Sequence, residues 1–452
     1  MEMKHLIRII FVISICVFVS SARAQIDSCA FNSQIENLMG QVSQNNIQMH
    51  VENLANAGGH ETRTSFTAGN EWASAYIKSA FDSLPGLTSV EYDTFFPPQT
   101  TPPYDTIPLV NVIATLQGSG DPNQYYIIGG HLDATANLDN SLNWDTDWPT
   151  AKAHGADDNA TGIAAMLEIA RILSDPANAF VHEATIKFIA FGAEERHPVY
   201  NNNNHRGSNH FVHLAFTRGD DILGAYITDM IGYNSTGHHY FNIAADTRSR
   251  ILGRGLLNFN QTYQIGLEAN AETFPAATYS DHDQFWLYRF KAVLLIENAP
   301  PWQNNSPFYT ANPFYHRQTD TADQVNYAQV TKLAKLILGT VACQTEVITG
   351  ISDDGLESFP KSFALLPNFP NPFNPDTNIR YQLQFGGDVE LSLYNVQGQK
   401  MRILVKSHQS PGEYSVQWDG RDRDGKAVSS GLYLMSLQFE GQRQTRKALL
   451  LK

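Results

Sequence analysis

Five short stretches of this chain carry residue types that could hold and use a metal ion. His131 and Asp133 form a His-x-Asp pair, Asp157-Asp158 and Glu194-Glu195 are paired acids, Asp229 stands alone, and His316 follows Tyr315. Imidazole nitrogen and carboxylate oxygen are donors of divalent-metal sites. Two imidazoles among carboxylates favour zinc, with cobalt or manganese also able to fit. Singly, each stretch has an ordinary reading: a solvated histidine, a solvated Glu-Glu pair, or an Asp pair that caps the helix it precedes. Gathered without cations, the acids would repel one another, which raises their pKa values and costs stability. Two divalent ions about 3.5–4 Å apart remove that cost and serve hydrolysis, because they lower the pKa of water and polarise a carbonyl. A bridging ligand needs two oxygens, hence a carboxylate, and a general base must keep its lone pairs off the metal. Glu194 and Glu195 can divide base and ligand between them; chemistry alone leaves open which does which.

The elements that must position these residues show as alternation. Residues 25 to about 90 read mostly as helix, with one pattern on Ile35, Leu38, Met39 and Val42 and another on Trp72, Ala75, Tyr76, Ser79 and Ala80. Short apolar runs rich in β-branched residues follow at 110–116, 125–129, 185–191, 222–229 and 292–296, several separated by helical patterns. This predicts an α/β domain with a largely buried, mixed or parallel sheet. Functional residues gather at the C-terminal strand ends of such sheets. His131 and Asp133, Glu194-Glu195 and Asp229 all stand at the ends of runs. From Asn159 onward, Ile163, Met166, Leu167 and Ala170 predict an amphipathic helix that stops at Asp175-Pro176.

At 452 residues the chain is expected to hold two or more domains, and 42% hydrophobic residues suffice for packed cores. Lys+Arg 31 against Asp+Glu 45, a net charge of -14, argues against nucleic acid as a main partner. Lys4 and Arg8, an apolar run over 9–19 and Ala22-Arg23-Ala24 predict a secretion signal over 1–24. The run is shorter than the ~20 residues of a membrane span, and no later stretch could cross a bilayer, so a soluble exported protein is expected. Cys29 and Cys343 remain after the signal; in an oxidising compartment they either pair, which would clamp the ends of a 25–343 domain, or stay as buried thiols. Residues 344–362 read as a polar, acidic linker. Beyond it, 363–452 opens on a proline-rich stretch, and alternating runs at 378–383, 389–395, 414–418 and 431–439 predict a small immunoglobulin-like β-sandwich.

Gly129-Gly130-His131-Leu132-Asp133, Gly155-Ala156-Asp157-Asp158-Asn159-Ala160-Thr161-Gly162, Phe191-Gly192-Ala193-Glu194-Glu195, Thr228-Asp229-Met230 and Tyr315-His316 resemble, in order and spacing, the motifs of secreted bacterial di-zinc aminopeptidases of the leucyl-aminopeptidase type. The resemblance covers 25–343 and implies the zinc-exopeptidase (phosphorylase/hydrolase-like) fold, a sheet sandwiched by helices. It implies that His131 and Asp229 hold one zinc, Glu195 and His316 the other, and that Asp158 bridges them. Glu194 would be the general base, taking a proton from a metal-bridged water and passing it to the leaving amine. Asp133 would orient His131, and Asp157 would shape the turn. Ser280-Asp281-His282 resembles a pocket-supporting stretch of the family, which makes Ser280 a possible pocket residue. Tyr279 stands near the place of an oxyanion-binding Tyr in some members, without an exact match. The chain departs from the pattern at 196–206, a longer loop than usual before Gly207-Ser208, which could reshape the substrate pocket.

Phe369-Pro370-Asn371-Pro372-Phe373-Asn374-Pro375, Leu393-Tyr394-Asn395-Val396-Gln397-Gly398, Trp418-Asp419-Gly420-Arg421-Asp422 and Ser430-Gly431-Leu432-Tyr433 resemble the type A sorting domain of bacterial type IX secretion. That implies passage through the periplasm to the outer surface or the medium, with the secretion machinery as partner. Peptides with a free N-terminus are the substrates implied. The rival readings are a glutaminyl-cyclase-like acyltransferase on the same fold, which would keep one zinc, and an inactive peptidase fold serving as a surface-binding protein. A carboxypeptidase or dipeptidase would need a cation for the substrate carboxylate, and the sequence offers no clear candidate.

Overall fold

The structure, a computed structural model, describes residues 29–235, 237–272, 278–297, 312–345, 363–383, 387–409, 412–439 and 442–451. The expected signal over 1–24 and residues 346–362 of the expected linker lie outside the described residues.

Eight strands form one mixed sheet: β1 (Ser89–Phe95), β2 (Leu109–Leu116), β3 (Gln124–His131), β4 (Thr185–Phe191), β5 (Asp221–Thr228), β6 (Tyr240–Ala245), β7 (Glu268–Glu272) and β8 (Ala292–Glu297). Their order is β1-β2-β4-β3-β5-β8-β6-β7. β4, β3, β5 and β8 run parallel in the middle, with β2 and β6 antiparallel on either side. The C-terminal ends of the four central strands therefore share one edge. The helices are α1 (Ser33–Gly40), α2 (Gln44–Asn56), α3 (Ala68–Asp82), α4 (Trp144–Asp147), α5 (Thr161–Leu173), α6 (Arg206–Arg218), α7 (Arg250–Thr262), α8 (His282–Leu287) and α9 (Tyr327–Thr345).

Strand alternation divides the core. Tyr126 and Ile128 of β3 pack with residues of α1, α2, α3, α5, α7 and α9, whereas Tyr125 and Ile127 pack with α6 and α8. This is the expected sheet between helix layers. α5 departs from expectation. It starts at Thr161 rather than Asn159 and is buried nearly all round, Arg171 excepted, so it is a core helix and not an amphipathic one. Its internal acid, Glu168, is satisfied by the Ser43 N–H at 2.7 Å and by Arg171 at 2.8 Å. In α3 the expected face is offset by one residue. Ala73, Ile77 and Phe81 are buried, while Trp72 and Tyr76 stack on each other at 5.0 Å over the core margin. Large aromatic rings mislead a periodicity count here because they cover the core from its edge.

β1, β6 and β7 were not legible as apolar runs. β1 is an edge strand with mostly exposed residues. β6 carries a buried Asn242 whose amide donates to the Glu297 carbonyl at 3.1 Å. Cys29 and Cys343 form a disulfide with Cα atoms 6.0 Å apart, which joins the segment before α1 to α9.

Residues 363–451 supply two further sheets, β13-β10-β9 and β12-β11-β14-β15, around a separate core that includes Ile379, Leu391, Trp418 and Leu437. The strands are β9 (Ala364–Leu365), β10 (Thr377–Leu383), β11 (Gly387–Asn395), β12 (Lys400–Gln409), β13 (Gly412–Trp418), β14 (Gly431–Phe439) and β15 (Gln442–Leu450). β12 and β15, both rich in Lys, Arg and Gln, form the outer strands of their sheet, where such residues are tolerated.

Candidate metal centre

Three parallel strands deliver acids and an imidazole to one edge. His131 is the last residue of β3, Glu194 and Glu195 follow β4, and Asp229 follows β5. Asp158 arrives from the turn that leads into α5. Gly155 opens that turn at φ +53, where a Cβ would lie 2.3 Å from the Asp158 carbonyl oxygen, so glycine is required twice over. Neither Asp of the turn caps the helix. Asn159 does so, accepting from the Gly162 N–H at 3.1 Å while its amide donates to the Thr228 carbonyl at 2.7 Å. Asp157 accepts from the Gly232 N–H at 2.7 Å and the Asn312 amide at 3.0 Å, which ties the turn to the segment after β5. Asp320 accepts from the N–H groups of Asp157 and Asp158 at 2.9 and 3.0 Å.

Asp158 faces two imidazoles with its two oxygens. His131 Nε2 lies 3.1 Å from Asp158 Oδ1 and 3.3 Å from Asp229 Oδ1. His316 Nε2 lies 3.1 Å from Asp158 Oδ2 and 3.3 Å from Glu195 Oε2. The other ring nitrogens are engaged by oxygen acceptors: His131 Nδ1 by the Asp133 carbonyl at 3.2 Å, His316 Nδ1 by Asn137 Oδ1 at 2.9 Å. Each Nδ1 therefore carries a proton, and in the neutral ring each Nε2 points a lone pair at carboxylate oxygens. Two arrangements make that contact favourable: a second proton on the ring, which then donates from Nε2 to the carboxylate, or a cation held between nitrogen and oxygen. Ligands about 2.0–2.1 Å from a tetrahedral zinc stand about 3.3 Å apart, the separation found here. Glu195 Oε1 is buried without a hydrogen-bond partner. Donor atoms of His131, Asp158 and Glu195 lie within 4.8 Å of one another, a group that could hold a metal ion. The residues present thus fit divalent metal.

The remaining expected residues divide. Glu194 and Tyr279 line a cavity of about 260 Å³, together with Asp158, Glu195, Asp229 and His316. Ser280 is buried and is not among the residues that line it. Asp133 meets His131 Nδ1 with its backbone carbonyl; its carboxylate, 3.7 Å from the same nitrogen, accepts from the N–H groups of Glu194 and Glu195 at 3.0 and 3.1 Å. The longer loop contributes Arg196 and Asn204 to the cavity wall. Arg196 is the one Lys or Arg on that wall among the described residues, a cation the sequence reading did not find. Also missed were His205, 3.0 Å from Glu194, and Glu297, which closes β8 on the same strand-end rule that singled out Asp229. Arg63, wholly buried, donates to the carbonyls of Leu132, Leu54, His154 and Gly155 beneath the acids.

Burial dominates the electrostatics. It pushes the carboxyls of Glu194 and Glu195 up to about 7 and those of Asp281 and Asp320 up to about 8. In Asp158 burial is outweighed by hydrogen bonds from both imidazoles, which hold it well below the usual range. Burial would lower His316, but Glu195 and Asp158 lift it to about 10. A raised folded-state pKa means that the folded, metal-free protein holds protons the unfolded chain has released. The stability this supplies is complete below about pH 4, the ordinary carboxylate range, and is lost as pH rises through 7–8. Metal-stripped protein should therefore lose thermal stability between about pH 4 and pH 8, and added zinc should flatten the upper part of that profile. Melting curves across this range with and without chelator check it; a metal-free profile level to pH 8 would contradict it.

Comparison with known proteins gives the family and the fold. Residues 111–341 match the model of peptidase family M28, and 377–442 match the FlgD Ig-like domain. A probable zinc metalloprotease of Pyrenophora teres f. teres is 32% identical over 174 residues, 36% of this chain and 35% of that protein. The chain spans well under half the length of the probable zinc metalloproteases it matches first. Among solved structures, LapB from Legionella pneumophila is similar with a TM-score of 0.54 at 20% identity, over 71% of this chain and 77% of that one. A Bacteroides thetaiotaomicron glutaminyl cyclase bound to N-acetylhistamine is similar with a TM-score of 0.51 at 18% identity, over 67% and 98%. At these identities the likeness is one of fold. The family model spans just over half of the 452 residues and contains every side chain that faces Asp158, and the chain belongs to peptidase family M28.

Proposed function

We propose that this chain is a secreted aminopeptidase that uses two divalent metal ions, zinc in the first instance, to remove N-terminal residues from peptides. The observation that carries the reading is Asp158, whose two oxygens are shared between two separate imidazole–carboxylate groups. His131 and Asp229 would hold one ion, His316 and Glu195 the other, with Asp158 between them. A glutaminyl cyclase with one ion would have no use for the first pair. Bound there, the ions supply Lewis-acid polarisation of the scissile carbonyl and a lowered pKa for water.

Glu194 is free for proton transfer because its neighbour takes the ligand position. It lines the cavity and takes the proton of the attacking water, then delivers it to the leaving amine. Asp133 supports this by fixing both backbone N–H groups of the Glu-Glu pair. The cavity's carboxylates suit a free substrate amine. The purified protein should hydrolyse aminoacyl-p-nitroanilides, lose that activity to chelator and regain it with zinc. Glu194→Ala should lower kcat by about 10²–10⁴-fold with both metals still bound. Inactivity of metal-replete protein on every free-amine substrate would sink the reading.

Arg196 favours a second reading within the same reaction. A guanidinium on the cavity wall is suited to a carboxylate, so short peptides whose own C-terminus reaches it would bind best. Arg196→Ala should raise KM for a dipeptide about tenfold and leave its C-terminal amide nearly unchanged. Equal effects on both would remove this preference.

The reading extends to export, with 1–24 as signal and 363–452 as a type IX sorting module that brings the enzyme through the periplasm to the outer surface or medium. The two-sheet C-terminal unit supports a modular role. In a host with that secretion route, deletion of 363–452 should retain the protein within the envelope; undiminished secretion would exclude the route.

A further inference from the structure

The segment 196–205 leaves the sheet after Glu195 and returns at α6. Its return is pinned beside Glu194: the His205 N–H donates to the Glu194 carbonyl and the Arg206 N–H to the Ala193 carbonyl, both at 2.8 Å. The excursion itself is anchored, not loose. The His197 ring packs edge-on against Trp148 at 4.3 Å, and the Tyr200 hydroxyl donates to the Glu195 carbonyl at 2.8 Å. These contacts deliver the His205 imidazole to a site that is only 2% exposed. There His205 Nε2 lies 3.0 Å from Glu194 Oε1, and Nδ1 lies 3.2 Å from Asp283 Oδ1 in the first turn of α8. The Asn204 amide nitrogen stands 2.8 Å from the same Nε2.

We propose that His205, oriented by Asp283, is a positioning residue that holds the Glu194 carboxylate at the cavity wall. The inference rests on the reading of Glu194 as the base. A glutamate side chain has three rotatable bonds, and the backbone contacts through Asp133 fix only where it starts. A base must come within about 2.6–3.2 Å of the proton it takes, and a misplacement of 1 Å can cost about 10²-fold in rate. Among the described residues His205 is the side chain placed to supply that restraint, because Glu194 Oε1 meets it at hydrogen-bond distance. Asp283 acts through it: a carboxylate at Nδ1 fixes the ring plane and so directs Nε2 at Glu194.

The test compares metal-loaded wild type, His205→Ala, His205→Gln and Asp283→Asn. His205→Ala should lower kcat on an aminoacyl-p-nitroanilide by about 10–100-fold, with KM within about threefold and metal content unchanged. A merely structural loss would move all three. His205→Gln, whose amide can still donate to the carboxylate, should recover part of the loss, and Asp283→Asn should show a smaller fall in kcat. Crystal structures of wild type and His205→Ala should show the Glu194 carboxylate displaced in the variant. A kcat within twofold of wild type, or an unmoved Glu194 carboxylate, overturns the inference. If wild type itself cleaves no such substrate, the aminopeptidase reading falls while the crystallographic comparison still decides this one. If His205→Ala does not fold, Asp283→Asn carries both measurements, since Asp283 lies nearer the surface at 14% side-chain exposure.

Discussion

Nine carboxyl groups lie buried at and around one edge of the main sheet: Asp133, Asp157, Asp158, Glu194, Glu195, Asp229, Asp281, Glu297 and Asp320. Among the described residues Arg63 is the one buried Lys or Arg. Burial of like charge at this density is the constraint that the rest of the structure answers. Each uncompensated carboxylate costs several kcal/mol to desolvate, about as much as a domain's whole margin of stability if summed over two or three. The fold meets the constraint by three means. Some acids take backbone N–H donors, as Asp133 and Asp320 do, and some share donors, as Asp157 and Glu297 share the Asn312 amide. Asp158, Glu194, Glu195 and Asp229 face imidazoles whose outer nitrogens are already committed. That last arrangement leaves a demand for cations, and in a family of peptidases the demand and the chemistry coincide.

The scaffold holds this arrangement at some local cost. Ala193, His205, Met230 and His316 all adopt left-handed backbone conformations, at φ 53, 53, 49 and 55. Each stands in or beside a segment that carries a site residue. Such conformations cost about 1–3 kcal/mol each in non-glycine residues and persist only where the surroundings over-determine them. Here the surroundings are rigid: four parallel strands with buried faces, a core helix behind the Asp158 turn, and Arg63 tying four carbonyls beneath it. Stability in the body of the domain is what permits strain at its edge.

The 196–205 excursion shows the same economy of parts. One insertion supplies a cation to the cavity wall, an aromatic anchor against Trp148 and a buried imidazole at Glu194. It borders the pocket through Arg196 and Asn204 and supplies none of the side chains that face Asp158. Variation in a loop carried by a fixed sheet edge is how such folds alter specificity.

The sequence by itself determined the alternation of strands and helices, the edge at which His131, Glu194, Glu195 and Asp229 stand, and the presence of a second, all-β unit after 363. These follow from local rules, since apolar runs and strand ends are properties of neighbouring residues. It placed the helix after Asp158 but misread its exposure, because a helix buried on all sides still shows a helical period. It took the buried face of α3 one residue off because the stacked rings of Trp72 and Tyr76 cover the core from its margin. Only the tertiary structure decided which oxygens face which nitrogens, that Asn159 and not an aspartate caps α5, that Asp133 grips the Glu-Glu backbone, that Arg196 reaches the cavity and that His205 reaches Glu194. His205 sits in an asparagine-rich stretch with no periodicity, and its partner Asp283 lies 78 positions away. Contacts of that kind are fixed by how the chain returns to the sheet, which no local pattern of residues records.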